Sequence, residues 1–177
     1  MNWKRALQYS ALALLIFMAD GWLKAYVHYY IPPMHLSSFT YPYHGIGVFQ
    51  GWHGIDFCIT HVINTGAAWG LFAHLQHLLL YVRIAIILGL LVYLFVVKGN
   101  AFIKFCLTLI AAGALGNVAD YFIYGHVVDM FYFVFWGYSY PVFNIADSAI
   151  FCGIALMLIN AGWQKVKKHS RAVDVPK

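Results

Sequence analysis

The chain contains no glutamate. Its six acids are all aspartates, and charged residues make up only 10% of its 177 positions. A soluble domain normally carries about 25% charged residues, so a water-facing surface cannot be built from this sequence. Lys and Arg are absent from 28–76 and from 122–141. Only three cysteines occur, Cys58, Cys106 and Cys152, with no CxxC spacing. That excludes a disulfide framework or a thiolate metal site, and Cys106 and Cys152, inside apolar runs, are expected to be small packing residues. The HExxH and Gly-x-Ser-x-Gly patterns are missing. Ser148, beside Asp147, has no histidine partner in sequence, so neither zinc hydrolysis nor serine catalysis is indicated. Nine histidines are scattered, mostly in the cation-free segments, where interfacial packing accounts for them. No metal and no cofactor is expected.

What is present is apolar. The chain is 63% hydrophobic with a mean hydropathy of +0.72, arranged in runs of roughly 20 residues, the length that crosses a hydrocarbon core. Four spans are predicted, at about 6–27, 78–97, 102–120 and 141–163, in one integral membrane domain covering 1–177. The first apolar run is followed by Ala19-Asp20-Gly21 without a well-placed cleavage site, so the first helix is expected to be retained.

The net charge of +5 reads as a topology signal rather than a nucleic-acid surface. Lys4 and Arg5 precede the first span, Lys98 and Lys104 flank the turn between the second and third, and Lys165, Lys167, Lys168, Arg171 and Lys177 follow the fourth. The positive-inside rule then puts both termini in the cytoplasm. Lys24 and Arg83 lie near the outer span ends, where they are expected to snorkel to the interface. On the outer side, 28–76 is too long for a plain connector. Its stretches 46–49 and 57–60 read as short strands at the membrane surface, and Tyr41, Tyr43, Trp52, Trp69 and Trp136 suit the headgroup level.

An ionisable group inside a span is costly and marks function. Asp20, Asp120, Asp129 and Asp147 all lie in or beside spans, whereas Asp56 and Asp174 read as loop and tail acids. Asp20 and Lys24 are spaced for an i,i+4 ion pair. Two segments share one grammar: Asn117-x-x-Asp120 at the end of the third span and Asn144-x-x-Asp147 at the start of the fourth. On a helix, i and i+3 share a face, so each would point an amide and a carboxylate at one place. Asp129, in the short connector between these helices, would fold over both ends. Close carboxylates share a proton. The ionised partner can then activate water while the protonated one polarises a carbonyl, which is aspartic-protease chemistry. The matching contexts favour Asp120 with Asp147, but residues alone leave the choice of pair open. A proton- or cation-coupled transporter would also use such acids.

Five motifs together resemble the bacterial lipoprotein signal peptidases (signal peptidase II), in family order. They are Asp20-Gly21-Trp22-Leu23-Lys24, the stretch Asn64-Thr65-Gly66-Ala67-Ala68-Trp69, the stretch Gly113 to Asp120, Gly125-His126-Val127-Val128-Asp129, and Phe143-Asn144-Ile145-Ala146-Asp147. The resemblance implies an all-α membrane protein of four transmembrane helices with a small β-sheet cradle and a loop on the periplasmic side. It implies Asp129 and Asp147 as the catalytic pair, with Asn64, Gly66, Asn117, Asp120, Asn144, Ala146, Asp20 and Lys24 in support. It further implies a monomeric enzyme of the bacterial inner membrane, in contact with membrane lipid and sensitive to globomycin. Such an enzyme cleaves prolipoproteins before a diacylglyceryl-modified cysteine. Two positions depart from the family pattern. Gly21 stands where Gln is common, and Tyr121 where Arg is usual; the second removes a cation beside the site, which bears on headgroup contacts and on globomycin affinity. A member that binds lipidated peptides without cutting them is a third reading.

Overall fold

A computed structural model describes residues 3–36, 45–66, 73–96 and 100–173. Tyr41, Tyr43, Trp69, Val97, Lys98, Asp174 and Lys177 lie outside the described residues. Four helices are long and apolar enough to cross a membrane. They are α1 (Trp3–Tyr30), α2 (Gln76–Val96), α3 (Ala101–Tyr124) and α4 (Ile145–Val173). Four strands, β1 (Ile46–Trp52), β2 (Ile55–Asn64), β3 (Val127–Phe135) and β4 (Tyr138–Ser139), form one antiparallel sheet in that order.

Helix α3 is the hub, and α1, α2 and α4 each pack against it. It buries Leu107, Leu109, Ala111, Ala112, Gly113, Gly116 and Val118, among others. The other helices leave Leu14, Leu15, Ile86, Leu88, Leu158 and Ile159 exposed. In a multi-pass membrane protein these are lipid-facing positions. Small residues set the α3–α4 distance. A methyl group at Gly113 would overlap the Ala146 carbonyl oxygen, and one at Gly153 would sit 2.7 Å from the Cys106 carbonyl oxygen. Helix backbones approach this closely only where side chains are missing.

Cap chemistry fixes the helix ends. Asn100 accepts from the Phe102 N–H at the start of α3, and Gly125, at φ 79°, closes its end by donating to the Tyr121 carbonyl. Only glycine adopts that left-handed conformation without cost. The fourth span was expected from Pro141, yet its helix begins at Ile145. Pro141 to Phe143 is extended instead, and Phe143 bridges Phe131 of the sheet. Asn144 then caps the helix.

The sheet is larger than the sequence suggested. Both expected strands exist and are longer, and the connector expected between α3 and α4 is strand β3, paired along β2 from Asn64↔Val127 to Ile55↔Phe135. Its run Val127-Val128-Asp129-Met130-Phe131 continues without polar alternation because one face packs on α1. Val128 and Met130 bury against Val27 and Ile31. Both hairpins turn on an aromatic-Gly pair with positive φ, His53-Gly54 and Trp136-Gly137, the conformation of two-residue turns. Asp56 is not a loop acid. It lies in β2 and accepts from the Gly51 N–H at 2.6 Å, bracing the first of these hairpins. Cys152 is exposed on α4 rather than packed, whereas Cys106 is buried.

Candidate active site

The site forms where the C-terminal halves of α1 and α3, the start of α4 and strands β2 and β3 meet. Asp20 and Lys24, one turn apart on α1, are 1% and 0% exposed. Lys24 does not snorkel. Its Nζ lies 2.7 Å from Asp20 Oδ2 and 2.8 Å from Asp120 Oδ2. It donates a third bond, 2.9 Å long, to Asn117 Oδ1. A buried ammonium is tolerated only when its charge and its three donors are matched, and here all three are. Asn117 and Asp120 do share a face of α3, and Lys24 is what they share.

Asp20 and Asp120 also tie the bundle to its neighbours. Asp20 Oδ1 accepts from the Ala146 N–H in the first turn of α4 at 2.8 Å, and Asp120 Oδ2 accepts from the Val128 N–H at 3.2 Å. Ala146 is fully buried at the α3–α4 contact. A Cβ at Gly116 would lie 2.8 Å from Asp20 Oδ2, so the bare backbone there makes room for the carboxylate. Arg83, expected to snorkel, is half-buried and donates to the Gly66 carbonyl at 2.8 Å.

Asp129 and Asp147 are joined through Asn144. Its Nδ2 donates to Asp129 Oδ1 at 2.7 Å, while its Oδ1 accepts from the Asp147 N–H at 2.8 Å. Asp147 Oδ2 reaches back to the Asn144 N–H at 3.3 Å. This reciprocal pair is a capping box. Asn144-x-x-Asp147 is thus not a shared helix face, as its likeness to Asn117-x-x-Asp120 suggested, but a helix start. The cap leaves Asp147 Oδ1 for the Asn117 amide, at 2.8 Å. Asp129 Oδ2 takes the Asn64 amide at 2.8 Å, and Asn64 in turn is held by the Gly66 N–H at 2.9 Å. Each carboxylate therefore has both oxygens oriented by a fixed donor.

Burial, and then the neighbouring Asp147 carboxylate, push Asp129 up to about 7 against the weaker pull of the Asn64 and Asn144 amides. At neutral pH this pair can hold one proton between its members. Two other candidate nucleophiles are silenced. Burial and Asp56 push the Cys58 thiol up to about 11, so it is not a thiolate at neutral pH. The Ser148 hydroxyl is spent on the Asn144 carbonyl at 2.9 Å. Tyr121 faces away from the acids and meets His77 Nδ1 at 2.9 Å.

Every site residue read from the sequence enters this one network. Sequence reading missed the means of connection, since Asp20 reaches the Ala146 N–H 126 positions away and Lys24 reaches Asn117 93 positions away.

The family model for signal peptidase (SPase) II matches residues 12–163. The lipoprotein signal peptidase of Chlamydia felis is 42% identical over 109 residues, covering 60% of this chain and 66% of that protein. The one from Chlamydia trachomatis serovar L2b is 37% identical over 136 residues, 76% of this chain and 77% of that protein. A bacterial membrane enzyme solved by the in meso method at 2.3 Å matches with a TM-score of 0.73 and 26% identity, over 96% of this chain and 94% of that one. The chain thus spans slightly under two thirds of the first of these relatives and nearly all of the solved enzyme. With the family model spanning the region from α1 to α4 and the fold shared from end to end, the chain belongs to the signal peptidase II family.

Proposed function

We propose that the chain is an aspartic endopeptidase of a bacterial cytoplasmic membrane. It removes signal peptides from diacylglyceryl-modified prolipoproteins and cuts before the lipidated cysteine. The observation that carries this reading is the bridge from Asp129 through Asn144 to Asp147. A carboxylate pair, Asp129 buried and Asp147 half-buried, with four oriented donors can hold a proton and a water against a peptide carbonyl.

In this mechanism the ionised member of the pair takes a proton from water, and the hydroxyl adds to the scissile carbonyl. The protonated member donates to the carbonyl oxygen, giving a gem-diol. Proton return to the amine then breaks the C–N bond. The pair titrates as a unit, so the starting proton belongs to both. Asn64 and Asn117 keep each carboxylate turned inward, and Lys24 with Asp20 and Asp120 fixes Asn117. Asp129 shares its strand face with Phe131 and Phe133, and the stacked rings of Phe57, Phe133 and Phe143 extend an apolar platform beside the acids. That surface suits a hydrophobic signal sequence, with the acyl chains remaining in lipid.

The cation distribution supports cytoplasmic termini and a site near the periplasmic face. The enzyme acts as a monomer, and globomycin is its expected inhibitor, with Tyr121 in place of a cation weakening that contact. The test is incubation of the purified chain in detergent with a diacylglyceryl-modified prolipoprotein, followed by mass analysis. Release of a signal peptide cut before the lipidated cysteine supports the reading. Binding without cutting leaves a lipoprotein-binding protein, and neither result leaves transport as the reading to pursue.

A further inference from the structure

Three of the nine histidines, which the sequence reading treats as interfacial packing, converge. One ring nitrogen from each of His28, His61 and His126 lies within 4.8 Å of the others. His61 is 2% exposed and the other two are half-buried. Among the described residues, a few buried side-chain polar atoms lack a neutral hydrogen-bond partner, and Asp20 Oδ2, one of them, has the Lys24 ammonium instead. Three others are His28 Nδ1, His61 Nε2 and His126 Nε2, which have no partner at all. So many unmet ring nitrogens at one point is not what packing alone selects, because a buried polar atom normally finds a partner.

The tautomers are arranged for a ligand. His61 Nδ1 lies 2.8 Å from the Ile31 carbonyl oxygen. A carbonyl only accepts, so Nδ1 carries the proton and Nε2 keeps its lone pair. His126 is held in the same way by the Tyr124 backbone. A backbone carbonyl on one ring nitrogen is the usual support for a metal on the other. His61 sits where the β2–β3 register shifts between Ile59 and Val62, and a bulge re-aims a side chain in this way. His28 is steadied by the Tyr124 ring, with centroids 4.4 Å apart.

We propose that His28, His61 and His126 form a three-imidazole site for a borderline divalent transition metal of the Zn2+ class. Three neutral nitrogens, with no carboxylate in the group among the described residues, select against Mg2+ and Ca2+, which require oxygen ligands. A tetrahedral ion with bonds of about 2.0–2.1 Å needs its nitrogens about 3.3 Å apart. Rotation of the half-buried His28 and His126 rings toward His61 supplies that closure and leaves a fourth position open.

The placement gives the site a purpose. His28 lies one turn beyond Lys24 on α1, His61 three residues before Asn64 on β2, and His126 three residues before Asp129 at the entrance to β3. An ion here would clamp the three elements that bring Lys24, Asn64 and Asp129 to the acid pair. It is a brace and touches no reacting atom. The proposal stands on these residues whether or not the chain is a peptidase.

The experiment uses the untagged full chain in detergent, stripped with a chelator, then titrated with Zn2+ and separately with Co2+. One equivalent of Zn2+ should bind and raise the thermal midpoint by about 5 °C or more at saturating metal. Co2+ should give the visible absorption of a nitrogen-ligated tetrahedral ion. His28→Gln and His126→Gln should each weaken binding at least about tenfold, while His74→Gln, at an exposed site, should leave it unchanged. His61→Gln is the stronger variant but sits in the core, so the two half-buried positions keep the test valid if it fails to fold. No shift with Zn2+, or a shift equal in wild type and both cluster variants, would overturn the proposal and mean an adventitious ion only.

Discussion

Lys24 Nζ lies 2.9 Å from Asn117 Oδ1, and this contact decides which way the Asn117 amide faces. An ammonium can only donate, so it holds the amide oxygen and turns Nδ2 toward Asp147. A residue on α1 thereby sets a hydrogen bond between α3 and α4 without touching the second helix's acid. Lys24→Met removes that control and leaves Asp20 and Asp120 facing each other in a buried space. The expected cost is about 3–5 kcal/mol, read as a lowered thermal midpoint, together with loss of cleavage. Adding Asp20→Asn and Asp120→Asn to Lys24→Met should recover much of the stability and little of the activity. A Lys24→Met protein as stable as wild type would contradict the buried-charge account.

Asn144 does two jobs that substitution can separate. Asn144→Ser keeps an N-cap acceptor but cannot reach Asp129, whereas Asn144→Ala loses both functions. Ala should cost about 1 kcal/mol more than Ser, while both should lose cleavage by about 10²-fold or more. If Asn144→Ser retained wild-type turnover, the bridge would be a helix cap and nothing else.

The α3–α4 seam leaves no space for a methyl group. Gly113→Ala collides with the Ala146 carbonyl and must push α4, and with it Asp147, away from Asn117. A loss of about 1–3 kcal/mol is expected for such overpacking, with reduced turnover. Gly162→Ala, where nothing lies within 4 Å, is the matched control and should be neutral.

The raised Asp129 gives a pH dependence with a definite sign. Its carboxyl ionises near 7 in the folded protein and near its ordinary 3.8 when unfolded. The folded state therefore holds the proton more tightly. Stability linked to this group is full below about 4, declines as pH rises between about 4 and 7, and is lowest above 7. Asp129→Asn should accordingly be more stable than wild type at pH 8, with that advantage vanishing toward pH 4. Cleavage should fall as pH rises through about 7, when the shared proton is lost. Thermal midpoints of both proteins at pH 5 and pH 8 check the first, and a rate profile checks the second.

Much of the fold and of the site is legible in the sequence. The spans show in the apolar runs because lipid demands them, and the membrane-embedded acids stand out because burying them is costly. The i,i+4 spacing of Asp20 and Lys24 gave their ion pair directly. Other features were hidden for identifiable reasons. Lys24 looked free to snorkel because its second acid, Asp120, is 96 positions away in sequence. Asn144-x-x-Asp147 looked like Asn117-x-x-Asp120 because a capping box and a helix face share the same three-residue spacing. Strand β3 passed for a connector because, Asp129 apart, both its faces are apolar or aromatic, so the alternation that marks a half-buried strand is missing. The convergence of His28, His61 and His126 depends on strand register, which spacing does not encode.

Asp129 and Asp147 are proposed to act as one catalytic pair. Asp129→Asn and Asp147→Asn are nearly isosteric and should leave the chain folded, as judged by thermal unfolding. The decisive measurement is cleavage of a diacylglyceryl-modified prolipoprotein by wild type and both variants in parallel. Turnover by wild type and a loss of about 10³-fold or more in each variant are expected. Substantial turnover by either folded variant would contradict the pairing.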